Sequence, residues 1–282
     1  MQFLMSSNPS ALAGALANRP SASVEAEYGD VVVPGSVITM AHHGPRAGQP
    51  APCAYPNGVG AGVEVVGLSH FDLDTLGGCA ALLGRKPEAP EFWALAEYVD
   101  LNGAHKLGSS GASPEDLRRL YAFWAWSSTT RVFAPKDGAV IEVTQSVATA
   151  CDVLARILQD DLELLAKGDS FKAEGERLNA DSFVEMEEGV ITRVSPQFTN
   201  HLYVTPAGAY ATAVVAYKTL TGEITISFAN PAGVSAIEIA QALWGPLAGG
   251  HAGIAGGPRD RRMPLEELAA AVAAVRVALS RR

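Results

Sequence analysis

The chain has 282 residues, 48% hydrophobic and 18% charged, with a formal net charge of −9. This is enough apolar material for two modest cores, and the acidic balance excludes a counterion-release grip on duplex nucleic acid. Cys53, Cys79 and Cys151 are odd in number and form no C-x-x-C pair, which argues against a disulfide framework and a thiolate zinc site. With no basic, apolar leader and no run of ~20 apolar residues, a non-membrane protein of the reducing cytoplasm is expected.

In chain order, Asn8-Pro9 before Ala11-Leu12-Ala13 predicts a short capped helix ending by Pro20. Residues 31–40 are β-branched and broken by Pro34-Gly35, predicting strands that lead into His42-His43. Val63 to Leu68 reads as a buried strand. It is followed by Ser69-His70-Phe71-Asp72-Leu73-Asp74 and then by a helix through Thr75–Leu83. Residues 91–101 and 114–127 read as helices, the latter capped from Ser113. Residues 145–167 carry apolar side chains at helical spacing and end at Lys167-Gly168.

The stretch of about 168–188 is charged and poorly periodic, and is read as a linker between a domain of residues 1–175 and a smaller one of residues 186–282. In the second domain, 190–194, 201–204, 211–217 and 223–228 are strand-like, with Thr221-Gly222 as a hairpin turn. Residues 235–244 and 265–279 are helical. Strand, acidic loop, helix is the α/β arrangement in which ligands bind at the carboxyl ends of strands. The expected fold is α/β, a doubly wound, mainly parallel sheet followed by a smaller α+β domain.

Hard divalent cations need oxygen or imidazole ligands that converge. Along an extended segment His70, Asp72 and Asp74 share one face by the period-two alternation of side chains, so all three are candidate metal ligands; the plainer reading is that the aspartates cap the next helix. Asp100 places a carboxylate at the unfavourable end of a helix, which invites a cationic partner. His42 and His43 offer imidazoles as ligand or proton donor. The run Gly249-Gly250-His251, with Arg259 beyond it, brings backbone amides and two basic side chains within reach of an anion.

Together these segments resemble the DHH phosphoesterase superfamily. Val66-Gly67-Leu68-Ser69-His70-Phe71-Asp72-Leu73-Asp74 looks like its first motif, a strand followed by H-x-D-x-D, and Gly249-Gly250-His251 is similar to the G-G-H signature of its associated C-terminal domain. The resemblance implies a first domain carrying two divalent metals, usually manganese or magnesium, and a second that recognises substrate. His70, Asp72, Asp74 and Asp100 would then be metal ligands, and His251 and Arg259 would grip the phosphate or nucleotide end. The sequence departs from the pattern in two places. His42-His43 precede the first motif, with Ala41 where an aspartate belongs, and no substitute for the separate bridging aspartate stands between Asp74 and Asp100.

The expected activity is metal-dependent hydrolysis of a small phosphorylated substrate, such as a nucleotide or short oligonucleotide, with His42 and His43 as catalytic residues. The alternative is a nucleotide- or anion-binding protein that keeps the fold with weakened catalysis. A weaker third reading, a structural or assembly role, comes from Trp93, Trp124 and Trp126, although such aromatics usually fill cores. Self-association into a homo-oligomer is compatible with this composition.

Overall fold

The computed structural model describes residues 1–26, 36–43, 46, 48–258 and 261–281. Residues 31–35 of the expected strand pair, and Arg259, lie outside the described residues. The chain divides into two compact units, Met1–Lys172 and Ala173–Arg282.

The first unit opens with β1 (Gln2–Met5), α1 (Pro9–Leu16), β2 (Ser21–Val24), β3 (Ser36–Met40) and β4 (Val65–Leu68). It continues with α2 (Leu73–Leu82), α3 (Pro90–Asn102), α4 (Pro114–Thr130), β5 (Ile141–Glu142) and α5 (Thr144–Leu158), and reaches into α6 (Leu162–Ser182). The strand order is β3-β2-β4-β1-β5. The first four strands run parallel, and β5 is antiparallel to β1.

Alternation along the strands feeds two cores. Phe3, Met5, Val66 and Leu68 enter the main one with α2 and α5, while Leu4 and Val65 pack against Leu12 and Leu16 of α1. Helices therefore cover both faces of the sheet, as a parallel sheet buried on both sides requires. β1 and β2 are missing from the sequence reading. Gln-Phe-Leu-Met and Ser-Ala-Ser-Val carry little β-branched signal, and neighbouring strands rather than intrinsic propensity hold them in place.

The helix starts follow local chemistry. Asn8 Oδ1 accepts from the amides of Ser10 and Ala11, Asp72 from Thr75, and Ser113 from Asp116, each satisfying orphan donors of a first turn. The single helix expected over 145–167 is two, because the Asp161 carboxylate accepts from the amides of Glu163 and Leu164 and starts a new one. Gly168 does not stop that helix. A Cβ there would sit 2.5 Å from the Ala122 amide nitrogen, so the glycine permits close approach to α4; the span of about 168–188 is helix and strand, and the division between the compact units falls within it.

The second unit holds the rest of α6, β6 (Phe183–Glu187), β7 (Val190–Ser195), β8 (Ala213–Lys218), β9 (Glu223–Phe228) and α7 (Ala236–Trp244). It ends with β10 (Gly249–Gly250), β11 (Ile254–Gly256) and α8 (Glu266–Ser280). Its sheet runs β10-β11-β9-β8-β7-β6, with only β7 and β8 parallel. β6 and β7 turn over Glu188-Gly189, both at positive φ, the backbone that a tight two-residue hairpin needs.

Residues 201–204 are not the strand expected; they join the fold through one bridge, Val204 to Tyr210. The fully buried Arg193 accounts for this. Its guanidinium donates to the carbonyls of Leu202, Val204 and Asn179, to Asn179 Oδ1 and to Ser182 Oγ, so two of those carbonyls are satisfied without a ladder. Both units are mixed α/β structures. No helix among the described residues is long and apolar enough to cross a membrane.

Candidate metal centre

The parallel order β3-β2-β4 sets Val24 beside both Met40 and Leu68. The segments leaving these three strands, beginning at Glu25, Ala41 and Ser69, therefore emerge together at the carboxyl ends, where α/β sheets build ligand sites. Among the described residues, two sets of ligands converge there, Glu25–His42–His43 and His42–Asp74–Asp100, each with its ligand atoms within 4.8 Å of one another.

His42 is the shared member and is buried, with Nε2 2.9 Å from Asp100 Oδ2, 3.4 Å from Asp74 Oδ2 and 3.8 Å from Glu25 Oε1. Despite these distances, His42 Nε2, Asp74 Oδ2 and Glu25 Oε1 are buried with no hydrogen-bond partner. Orphaned buried polar atoms are costly and rare, and two such carboxylate oxygens within 3.8 Å of an orphaned imidazole nitrogen form a ligand set without its cation. Neighbouring ligands of an octahedral ion bound at ~2.1 Å lie ~3 Å apart, which matches the two shorter separations. The residues fit a divalent cation.

Glu25 is absent from the sequence reading. It follows β2 at φ 45°, a left-handed conformation that a non-glycine residue adopts at a cost and that recurs at functional sites. Its amide donates to Met40 O, and Ser69 Oγ donates to its carbonyl. Burial, followed by the charges of Asp74 and Asp100, pushes its carboxyl up to about 8. The signal that would have found it is a carboxylate at the end of a parallel strand, but the strand itself was invisible.

The H-x-D-x-D segment divides. Helix α2 starts at Leu73, so Asp74 leaves the alternation that would have kept it on one face with His70 and Asp72. Asp74 turns inward, with Oδ1 accepting the Cys53 amide at 2.9 Å. Burial, against that hydrogen bond, raises its carboxyl to about 6. Asp72 caps α2 and faces His70, whose Nε2 lies 2.8 Å from Asp72 Oδ2. Burial works against ionisation of Asp72, but the His70 contact prevails and holds its carboxyl at about 2. This pair stands outside the two convergent sets.

Asp100, in the last turn of α3, lies 2.7 Å from His43 Nε2. Two imidazoles beside it answer the helix-end penalty on its charge. The His43 side chain is half exposed, unlike its neighbour, and its ring centroid is 4.3 Å from that of His42.

In the second unit, Gly249 and Gly250 form one arm of a hairpin with β11. The His251 amide donates to Ile254 O, and His251 Nδ1 accepts from the Gly253 amide. Gly250 sits at φ 142°, and a Cβ there would lie 2.4 Å from Ile254 O, so glycine is required by the turn itself. The amides at 251 and 253 are thus engaged within the hairpin. No protein-family model, no curated protein and no solved structure matches this chain.

Proposed function

We propose that the first unit is the catalytic domain of a metal-dependent phosphoesterase of DHH type, acting on a small phosphorylated substrate such as a nucleotide or short oligonucleotide. The observation that carries this reading is the convergence of three orphaned buried donors, His42 Nε2, Asp74 Oδ2 and Glu25 Oε1, beside Asp100 at the carboxyl ends of parallel strands. The helices on both faces of that sheet support a doubly wound domain. Glu25 takes the part of the bridging carboxylate that the sequence lacks between Asp74 and Asp100.

His42, Asp74 and Asp100 would hold one cation, with Glu25 offering a further carboxylate beside it. Imidazole and carboxylate without thiolate suit manganese or magnesium; Cys53 gives the site its amide and turns its thiol to the Trp93 carbonyl. A cation held there would supply Lewis-acid stabilisation to a phosphoryl group and acidify water. His43, exposed and oriented by Asp100, is the side chain placed to hold a phosphoryl oxygen or donate a proton to the leaving oxygen. His70, fixed by Asp72, would act beside it. Within the second unit, Gly249 and Gly250 set the turn beside His251, and His251 and Arg259 would be its anion-binding side chains.

Hydrolysis of a panel of phosphate esters and nucleotides with added Mn²⁺ or Mg²⁺ tests this. Loss of turnover on chelation and in Asp74→Asn is the expected result; turnover unchanged by both would overturn it. Nucleotide binding without turnover in any divalent metal would favour the binding-protein alternative.

A further inference from the structure

Beside the metal centre lies a cavity of ≈230 Å³. It is lined by the acidic residues Asp72, Asp74 and Asp100, by Phe71 and Trp124, and, one helical turn apart, by Ser127 and Arg131. Leu120, Trp124, Ser127 and Arg131 fall at helical spacing, so α4 and its C-cap turn one stripe toward this space. The stripe changes along its length from apolar, through aromatic and hydroxyl, to cationic.

Among the described residues of the unit, the guanidiniums of Arg85, Arg118, Arg119 and Arg156 are each held by a carboxylate, and Arg19 donates to the Gln2 side-chain oxygen. Arg131 pairs with no carboxylate among them and rests only near the Phe133 ring, 5.3 Å away. A guanidinium fork matches phosphate oxygens, and an aromatic face held by the fold takes another ring by stacking. The space is below the ~300–1,000 Å³ of pockets for drug-sized ligands, so it fits one ring system rather than a chain of nucleotides.

We infer that this cavity binds a phosphate ester bearing an aromatic ring close to its phosphate, with Arg131 on the phosphate oxygens and the ring against Trp124. The inference rests on the phosphoesterase reading and narrows its substrate class to aryl and heteroaryl phosphate esters. An Arg at a helix C-terminus also stabilises the helix dipole, and that role alone predicts no effect on ligand binding.

Calorimetric titration of the Mn²⁺-loaded protein with phenylphosphonate and methylphosphonate, neither of which can be hydrolysed as an ester, tests it. The wild type should bind the phenyl compound at least about tenfold more tightly, a preference worth ~1.4 kcal/mol. Trp124→Leu should abolish most of that preference. Arg131→Gln should weaken both ligands about tenfold, with Mn²⁺ stoichiometry unchanged. Equal affinity for the two phosphonates, binding of neither, or unaltered binding by Arg131→Gln would overturn the inference. Ester hydrolysis measured in parallel separates the two claims. Turnover without the phenyl preference leaves the phosphoesterase reading standing and removes this pocket, and the preference without turnover does the reverse.

Discussion

Oδ2 of Asp100 lies 2.7 Å from Nε2 of His43 and 2.9 Å from Nε2 of His42, so one carboxylate at the end of α3 ties together both histidines that leave β3. Asp100 therefore joins a cluster that already contains Glu25 and Asp74.

Asp100→Asn should weaken Mn²⁺ binding by about 10–100-fold, the usual loss when a group that holds or orients a metal ligand is removed. It should also lower the melting temperature of the metal-free protein, because both imidazoles lose the carboxylate they face. Thermal scans with and without Mn²⁺ check both effects. A variant whose melting temperature still rises with metal as the wild type's does would contradict the assignment.

The pH dependence of the metal-free protein follows from Glu25. Its ordinary value is near 4.5 and its folded value is about 8, so between these the native state keeps a proton that the unfolded chain has lost. Stability contributed by that proton is complete below pH ~4.5 and is lost as pH rises through ~8, by on the order of a few kcal/mol. Asp74, raised to about 6, adds to the fall in the lower part of the window. Urea denaturation from pH 5 to 8 should show the decline, and Glu25→Gln should flatten it.

Two glycines of α6 should respond oppositely to alanine. Gly168→Ala puts a methyl 2.5 Å from the Ala122 backbone nitrogen and should destabilise by about 1–3 kcal/mol through overpacking. Gly175 has nothing within 4 Å of the added atom, so Gly175→Ala should stabilise by about 0.8–1 kcal/mol from helix propensity. Denaturation midpoints of the two variants decide it.

Arg193→Lys keeps the charge but not the five-donor fork. The acceptors it strands, among them the Leu202 and Val204 carbonyls, cost about 1–3 kcal/mol each when buried and unsatisfied, so the loss should exceed about 3 kcal/mol. Far-UV and fluorescence-monitored urea unfolding measure it. A near-neutral variant would mean that those carbonyls find other partners.

Local chemistry made much of this chain legible in advance. Asn8 and Ser113 mark helix starts because a side-chain oxygen within three residues is all a cap requires. Asp72 and Asp74 were both visible as carboxylates, but which of them caps and which turns inward depended on α2 starting at Leu73. The 145–167 helix was divided by Asp161, whose capping carboxylate sits inside a run of unbroken helical periodicity and was outweighed by it.

By itself, then, the sequence determined the chemical inventory: paired histidines, closely spaced aspartates, a carboxylate ending a helix, and caps that place the helices. The tertiary structure alone decided membership of the site. Glu25 joins His42 and Asp74 because β2 pairs between β3 and β4, and that order arises from contacts between segments far apart in the chain, which no local pattern records. The His70–Asp72 pair is only two residues from Asp74, yet the turn into α2 gives the two carboxylates different partners.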